Sequence, residues 1–178
     1  RIVYLEGYLF DPFEARRAFA KAVGLARANG RQIAITLSDA FVVERHRGAL
    51  MEFIETQVDI VFANEAEVCA LFETTDFDAA VNALASRTAI AAVTRSEQGS
   101  VIAAGEARHE IWAAAVDKVV GTTGAGDQYA AGFLYGLAND RSLPVCGQLG
   151  SLAAAEVISH YGPRPQVSLK ALAASRGL

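Results

Sequence analysis

The residues best placed to do chemistry lie together in Gly121-Thr122-Thr123-Gly124-Ala125-Gly126-Asp127. Gly124 and Gly126 permit backbone angles closed to other residues and let a ligand approach N–H groups unscreened by side chains. Ala130, Phe133, Leu134 and Leu137 then recur at the spacing of one buried helix face, so a helix starts at this turn. A helix start carries unpaired N–H groups and partial positive charge, which favours an anion, phosphate above all. Asp127 stands where a carboxylate would face such a phosphate, an arrangement suited to handling a proton rather than to binding charge. An Asp in a first turn also pairs with the helix dipole without any ligand, and spacing alone leaves both readings open. A dinucleotide-binding G-x-G-x-x-G turn matches Gly124 and Gly126. It then puts bulky Tyr129 where a small residue is needed, and no acidic residue ends a following strand at the required distance.

The elements that must position this turn read as alternating strands and helices. Ile2–Leu5 is an apolar strand. Asp11-Pro12 opens a helix to about Ala28, closed by Asn29-Gly30. Strand Gln32–Leu37, helix Val42–Thr56, strand Val58–Phe62, a helix from Asn64, a short helix near Phe77–Ser86 and strand Ala89–Val93 follow. Val101–Ala104 and Ala107–Trp112 flank Gly105-Glu106 as a hairpin with a type II′ turn. A last helix runs from about Val145 to His160; Ala153, Ala154 and Ala155 in it allow close approach to a neighbour, and Gly162-Pro163 stops it. The alternation predicts an α/β fold: a mostly parallel sheet with helices on both faces and the antiparallel hairpin at its edge. Such sheets bind ligands at the carboxyl ends of their strands, here Glu6-Gly7, Ser38-Asp39, Asn64 and Thr94.

Composition narrows the class. With 178 residues, 52% hydrophobic and 20% charged, the chain builds one sizeable core and is not a disordered segment. A formal net charge of −4 argues against broad electrostatic binding of nucleic acid or an acidic membrane. Cys69 and Cys146, far apart, suit reduced thiols in a cytoplasmic protein better than a disulfide framework. No apolar run reaches membrane-spanning length, and no signal peptide is evident. The three histidines lack zinc-ligand spacing; His46, among Glu44, Arg45 and Arg47, reads as part of a solvated helix face.

The string GTTGAGD followed by QYAAGFLYGL resembles the signature of the ribokinase-like, or phosphofructokinase-B-type, family of sugar and nucleoside kinases. The resemblance implies that Gly124, Ala125 and Gly126 form an anion hole for the transferred phosphate, beside Thr123, and that Asp127 is the catalytic base. It also covers Asn64-Glu65-Ala66-Glu67, in step with a family N-x-x-E motif that holds a magnesium–phosphate network largely through water. By spacing alone, Asn64 and Glu67 make a capping box, and the two readings are compatible. Thr94-Arg95-Ser96-Glu97-Gln98-Gly99 resembles the family's T-x-G-x-x-G nucleotide loop, with Thr94 and Gly99 matching and Ser96 in place of the more usual glycine. Gly162 to Pro165 corresponds to the loop closing the adenine and cation side.

The implied activity is transfer of the γ-phosphate of ATP to an alcohol group of a sugar or nucleoside, with ATP and Mg2+ required. Gly121 stands where many members have Asp to position a monovalent cation. Glycine supplies no side-chain oxygen, which speaks against potassium activation. Glu6 and Asp39 could face the acceptor, or simply cap neighbouring elements. LEGYLFDP, TLSDAF, FANEAE and AAAEVISHYG lean toward the adenosine-kinase-like branch. The expected partner is a small sugar or nucleoside rather than nucleic acid or membrane, and a homodimer is compatible with the sequence. A non-catalytic nucleotide-binding module on the same fold is the alternative. The chain begins at Arg1, directly at a strand. Residues 1–178 are therefore expected to be the nucleotide-binding and catalytic core, the C-terminal part of a longer kinase whose front strands, lid and most acceptor contacts lie upstream.

Overall fold

A computed structural model describes residues 1–178. Six strands form a sheet in chain order: β1 (Ile2–Glu6), β2 (Gln32–Thr36), β3 (Ile60–Asn64), β4 (Ile90–Thr94), β5 (Ser100–Ala104) and β6 (Ala107–Ile111). β1, β2 and β3 pair in parallel, with Ile2 opposite Gln32 and Ala34 opposite Ile60. Parallel neighbours require crossovers, supplied by α1 (Phe13–Ala28), α2 (Ala40–Gln57), α3 (Glu65–Phe72) and α4 (Phe77–Ala85). Ile33, Ala34 and Ile35 are successive and fully buried. Successive strand residues point to opposite faces, so both faces of the sheet are covered. β5 and β6 form the expected edge hairpin; Gly105 has φ +57 while Glu106 does not have a positive φ, as a type II′ turn requires.

The chain divides into two compact units, residues 1–93 with 103–108, and residues 94–102 with 109–178. In the first, Phe10, Phe19 and Phe53 meet edge-on or tilted at centroid separations of 5.5–5.8 Å, joining the 3-10 turn Gly7–Phe10, α1 and α2. His46 departs from the solvated face expected of it. Its side chain is 16% exposed and its Nε2 lies 2.7 Å from Asp11 Oδ1. Its backbone breaks helical geometry at φ −118, ψ 17, kinking α2. The bond to His46 first, and then the Arg45 charge, hold the Asp11 carboxyl below its usual range.

The second unit is organised by α5 (Ala125–Ala138) and α6 (Leu143–Ile158), with α7 (Leu169–Ser175) packed on α6 through Leu149, Leu152 and Ala173. The alanine run buries Ala153 and Ala155, but glycines make the closest approach between helices. A Cβ on Gly132 would lie 2.4 Å from Leu149 O, and one on Gly150 2.7 Å from Tyr129 O. Tyr129 is buried, and its hydroxyl shares a 2.7 Å hydrogen bond with Ser100 Oγ. Burial raises its pKa to about 12. α6 ends at Ile158 with Ser159 as its C-cap, so Gly162, at φ +96, shapes the following loop rather than the helix stop. Both cysteines are free thiols. No helix is long and apolar enough to cross a membrane.

Candidate active site

In the second unit the glycine turn takes the conformation its residues allow. Gly124 is the N-cap of α5 at φ 85, ψ 0, a left-handed geometry disfavoured for residues with a Cβ. Gly126 is already helical, and a Cβ there would meet no atom within 4 Å, so open space lies above this part of the turn. No side chain caps the helix. The Ala125 N–H donates to Thr122 O at 3.1 Å, closing the turn. The amides of Gly124, Gly126 and Asp127 make no such backbone bond, while Gln128 N bonds Gly124 O at 2.9 Å. Asp127, third residue of α5, is exposed rather than packed into the core, and Thr123 and Gly121 are exposed beside it.

Loop 94–99 follows β4. Ser96 has φ +50, the left-handed geometry that explains why a glycine is usual at this place and what the serine costs. Gly99 has a different reason to be glycine. At φ +88 it is buried, and a Cβ there would fall 1.9 Å from Ile111 O. Its carbonyl accepts from Arg95 N at 2.7 Å and its N–H donates to Ser96 O at 3.1 Å. Gly99 thus shapes the loop with both backbone groups engaged, while Thr94 ends β4 and Ser96 is exposed.

In the first unit, parallel pairing brings the carboxyl ends of β1, β2 and β3 to one edge of the sheet. Asn64 caps α3 in a complete capping box: its Oδ1 accepts from Glu67 N at 2.9 Å. Glu67 Oε2 accepts from Asn64 N at 2.9 Å, and Oε1 from Asn64 Nδ2 at 2.7 Å. Glu67 is 5% exposed. Burial pushes its pKa up to about 7 against the pull of the Asn64 backbone N–H, and the carboxylates of Asp39 and Glu6 raise it further. Asp39 caps α2, accepting from Phe41 N at 2.7 Å. Glu6 accepts a 3.1 Å hydrogen bond from Ser38 Oγ. Ser38, which the sequence places at a strand end, is held at φ 70 between β2 and α2. Its place in Ser-Asp after a strand signals turn chemistry; the strained backbone is a tertiary feature, of the kind that gathers at functional sites.

These three carboxylates leave excess negative charge, which a hydrated cation would relieve. No three His, Cys, Asp or Glu side chains are arranged to hold a metal directly. Both Glu67 oxygens are engaged by Asn64. That fits a magnesium ion that keeps most of its water and meets protein through few groups.

The model of the pfkB family of carbohydrate kinases matches residues 1–169. A probable sugar kinase from Rhizobium etli superposes with a TM-score of 0.97 at 47% identity, covering 99% of this chain and 54% of that one. The adenosine kinase from Sinorhizobium meliloti superposes with a TM-score of 0.95 at 50% identity, with the same coverage. A cytidine kinase from Thermococcus kodakarensis is 32% identical over 143 residues, 78% of this chain and 51% of that protein. The chain spans about half the length of these relatives. With nearly its whole length matched, the chain belongs to the pfkB family of carbohydrate kinases.

Proposed function

We propose that the protein containing this chain transfers the γ-phosphate of ATP to a hydroxyl of a nucleoside or sugar. The observation that carries the reading is the start of α5: left-handed Gly124, uncapped amides at Gly126 and Asp127, and an exposed carboxylate on that same Asp127. Phosphoryl transfer leaves little covalent chemistry to the protein, so placement and charge stabilisation dominate. The Gly126 and Asp127 N–H groups donate to the γ-phosphate oxygens as charge develops on them. The Asp127 carboxylate accepts a hydrogen bond from the acceptor hydroxyl, aims its oxygen at phosphorus and takes its proton as the new O–P bond forms. The bond from phosphorus to the bridging oxygen breaks, and its electrons leave with ADP.

Asn64 and Glu67 would hold magnesium, mostly through water. The ion supplies positive charge that screens the phosphates from each other. Thr94, Ser96, Thr123 and the Gly162 loop are the proposed nucleotide side, and Glu6 and Asp39 offer acceptors to ring hydroxyls. A nucleoside acceptor is favoured because two of the relatives above act on adenosine and cytidine. ATP as donor and two free thiols fit a cytoplasmic enzyme.

The test is Asp127→Asn in the full-length protein, supplied with ATP, magnesium and a panel of nucleosides and sugars. Removing a general base lowers turnover by about 10²–10⁴, and ATP binding measured by calorimetry is retained. Turnover near the wild-type rate removes Asp127 from the chemistry.

A further inference from the structure

The last turns of α6 carry a buried carboxylate that the reaction above does not use. The Glu156 side chain is 7% exposed. Its Oε1 lies 3.1 Å from His160 Nε2 and accepts from Gln166 N at 2.8 Å. Its Oε2 is buried without a hydrogen-bond partner. A buried carboxylate oxygen left unsatisfied costs stability, so its retention calls for an explanation.

The two groups facing Oε1 stand at either end of the segment 160–166. Between them Pro163 lies on the glycine turn: a Cβ on Gly124 would fall 2.8 Å from Pro163 Cβ. Pro163 O also accepts from Gln128 Nε2 of α5 at 3.3 Å. The same stretch of α6 fastens the chain entering the turn, because Ile158 O accepts from Val120 N at 2.8 Å. Both arms around Gly124 are thus anchored within three residues of one helix.

We propose that Glu156 is a positioning residue for phosphoryl transfer. Its carboxylate straps the 160–166 loop to α6, so that Pro163 keeps Gly124 left-handed and the Gly126 and Asp127 amides stay aimed at the phosphate. The inference rests on the kinase reading and adds a group that touches neither substrate nor reacting atoms.

The test compares Glu156→Ala and Glu156→Gln in the full-length protein. Glu156→Ala removes the strap and lowers kcat/KM for ATP by about 10²-fold, the scale on which small misplacements act, while KM for the acceptor stays at its wild-type value. Hydrogen exchange at the Gln166 amide accelerates together with it. Glu156→Gln keeps an oxygen able to accept from Gln166 N and restores most of both. Wild-type kcat/KM for ATP in Glu156→Ala overturns the proposal. So does a loss that follows the thermal midpoint while the Gln166 amide remains protected.

If Glu156→Ala does not fold, Gln166→Pro, at an exposed position, removes the N–H donor while fixing the local φ, and leaves Glu156 in place. The same loss toward ATP supports the strap and wild-type kinetics refutes it. If the wild-type protein phosphorylates no acceptor, the kinase reading has failed. ATP affinity by calorimetry and Gln166 exchange in the same variants then still decide whether Glu156 orders the turn.

Discussion

Replacing Gly126 by alanine should make the protein more stable and less active, because the two effects act on different atoms. Gly126 is the second residue of α5, and a Cβ there meets nothing within 4 Å. Alanine in a helix is favoured over glycine by about 0.5–1 kcal/mol through backbone entropy alone. For a chain of this size that gain raises Tm by about 1–4 °C. The new methyl group, however, occupies the open space over the amide that a phosphate oxygen must approach to roughly 2.7–3.1 Å. Losing one such donor costs about 10²–10³ in turnover.

Two neighbouring alanine substitutions should therefore move stability in opposite directions. At Gly124, φ 85 costs an alanine about 1–2 kcal/mol. Contact with Pro163 Cβ at 2.8 Å adds about 1–3 kcal/mol of overpacking. Thermal unfolding and ADP release, measured on Gly126→Ala and Gly124→Ala in the full-length protein, separate the effects. Gly126→Ala with wild-type kcat/KM for ATP would refute the anion site. A fall of several degrees in its Tm would refute the helix geometry assigned to the turn.

Glu67 carries a pH signature. Its folded pKa, about 7, lies above the usual carboxylate value, so the native state binds more protons than the unfolded chain. Its contribution is fully present below about pH 4.5 and is lost as pH rises through 7. Urea unfolding between pH 5 and 8 should show wild type losing stability relative to Glu67→Gln by up to about 3 kcal/mol, and parallel curves would contradict the burial assigned to this carboxylate. Gly132→Ala forces a methyl group within 2.4 Å of Leu149 O. It should cost about 1–3 kcal/mol, with α5 and α6 pushed apart; an unchanged midpoint would show that the helices are not so closely packed. Ser96→Gly relieves a left-handed serine at φ +50 and should raise stability by about 0.5 kcal/mol, as chemical denaturation can check; an unchanged or lower midpoint would contradict the strain assigned to this loop.

The readable part of this protein was whatever a few neighbouring residues dictate. The glycine turn, the helix after it and the Asn64–Glu67 capping box are local, because three or four residues along the chain bring the partners together whatever the rest does. The alternation of apolar strands with helices was legible for the same reason, with boundaries displaced by at most two residues: β2 ends at Thr36 rather than Leu37, and α2 begins at Ala40 rather than Val42. α7 was not anticipated, since its seven residues are held by apolar packing on α6 rather than by a strong pattern of their own.

What the sequence determined alone was backbone freedom and periodicity: where the chain can turn, which face of a helix is apolar, and which carboxylate follows the turn. What tertiary structure decided was which of those groups remain available. Gly99 is glycine because Ile111 O crowds it, and Ser38 reaches Glu6 from 32 residues away. Glu67 owes its raised pKa to burial and to two distant carboxylates. His46 finds Asp11, 35 residues off, instead of solvent. Each of these depends on atoms brought close by folding, and desolvation and contact act through space, where distance along the chain has no meaning.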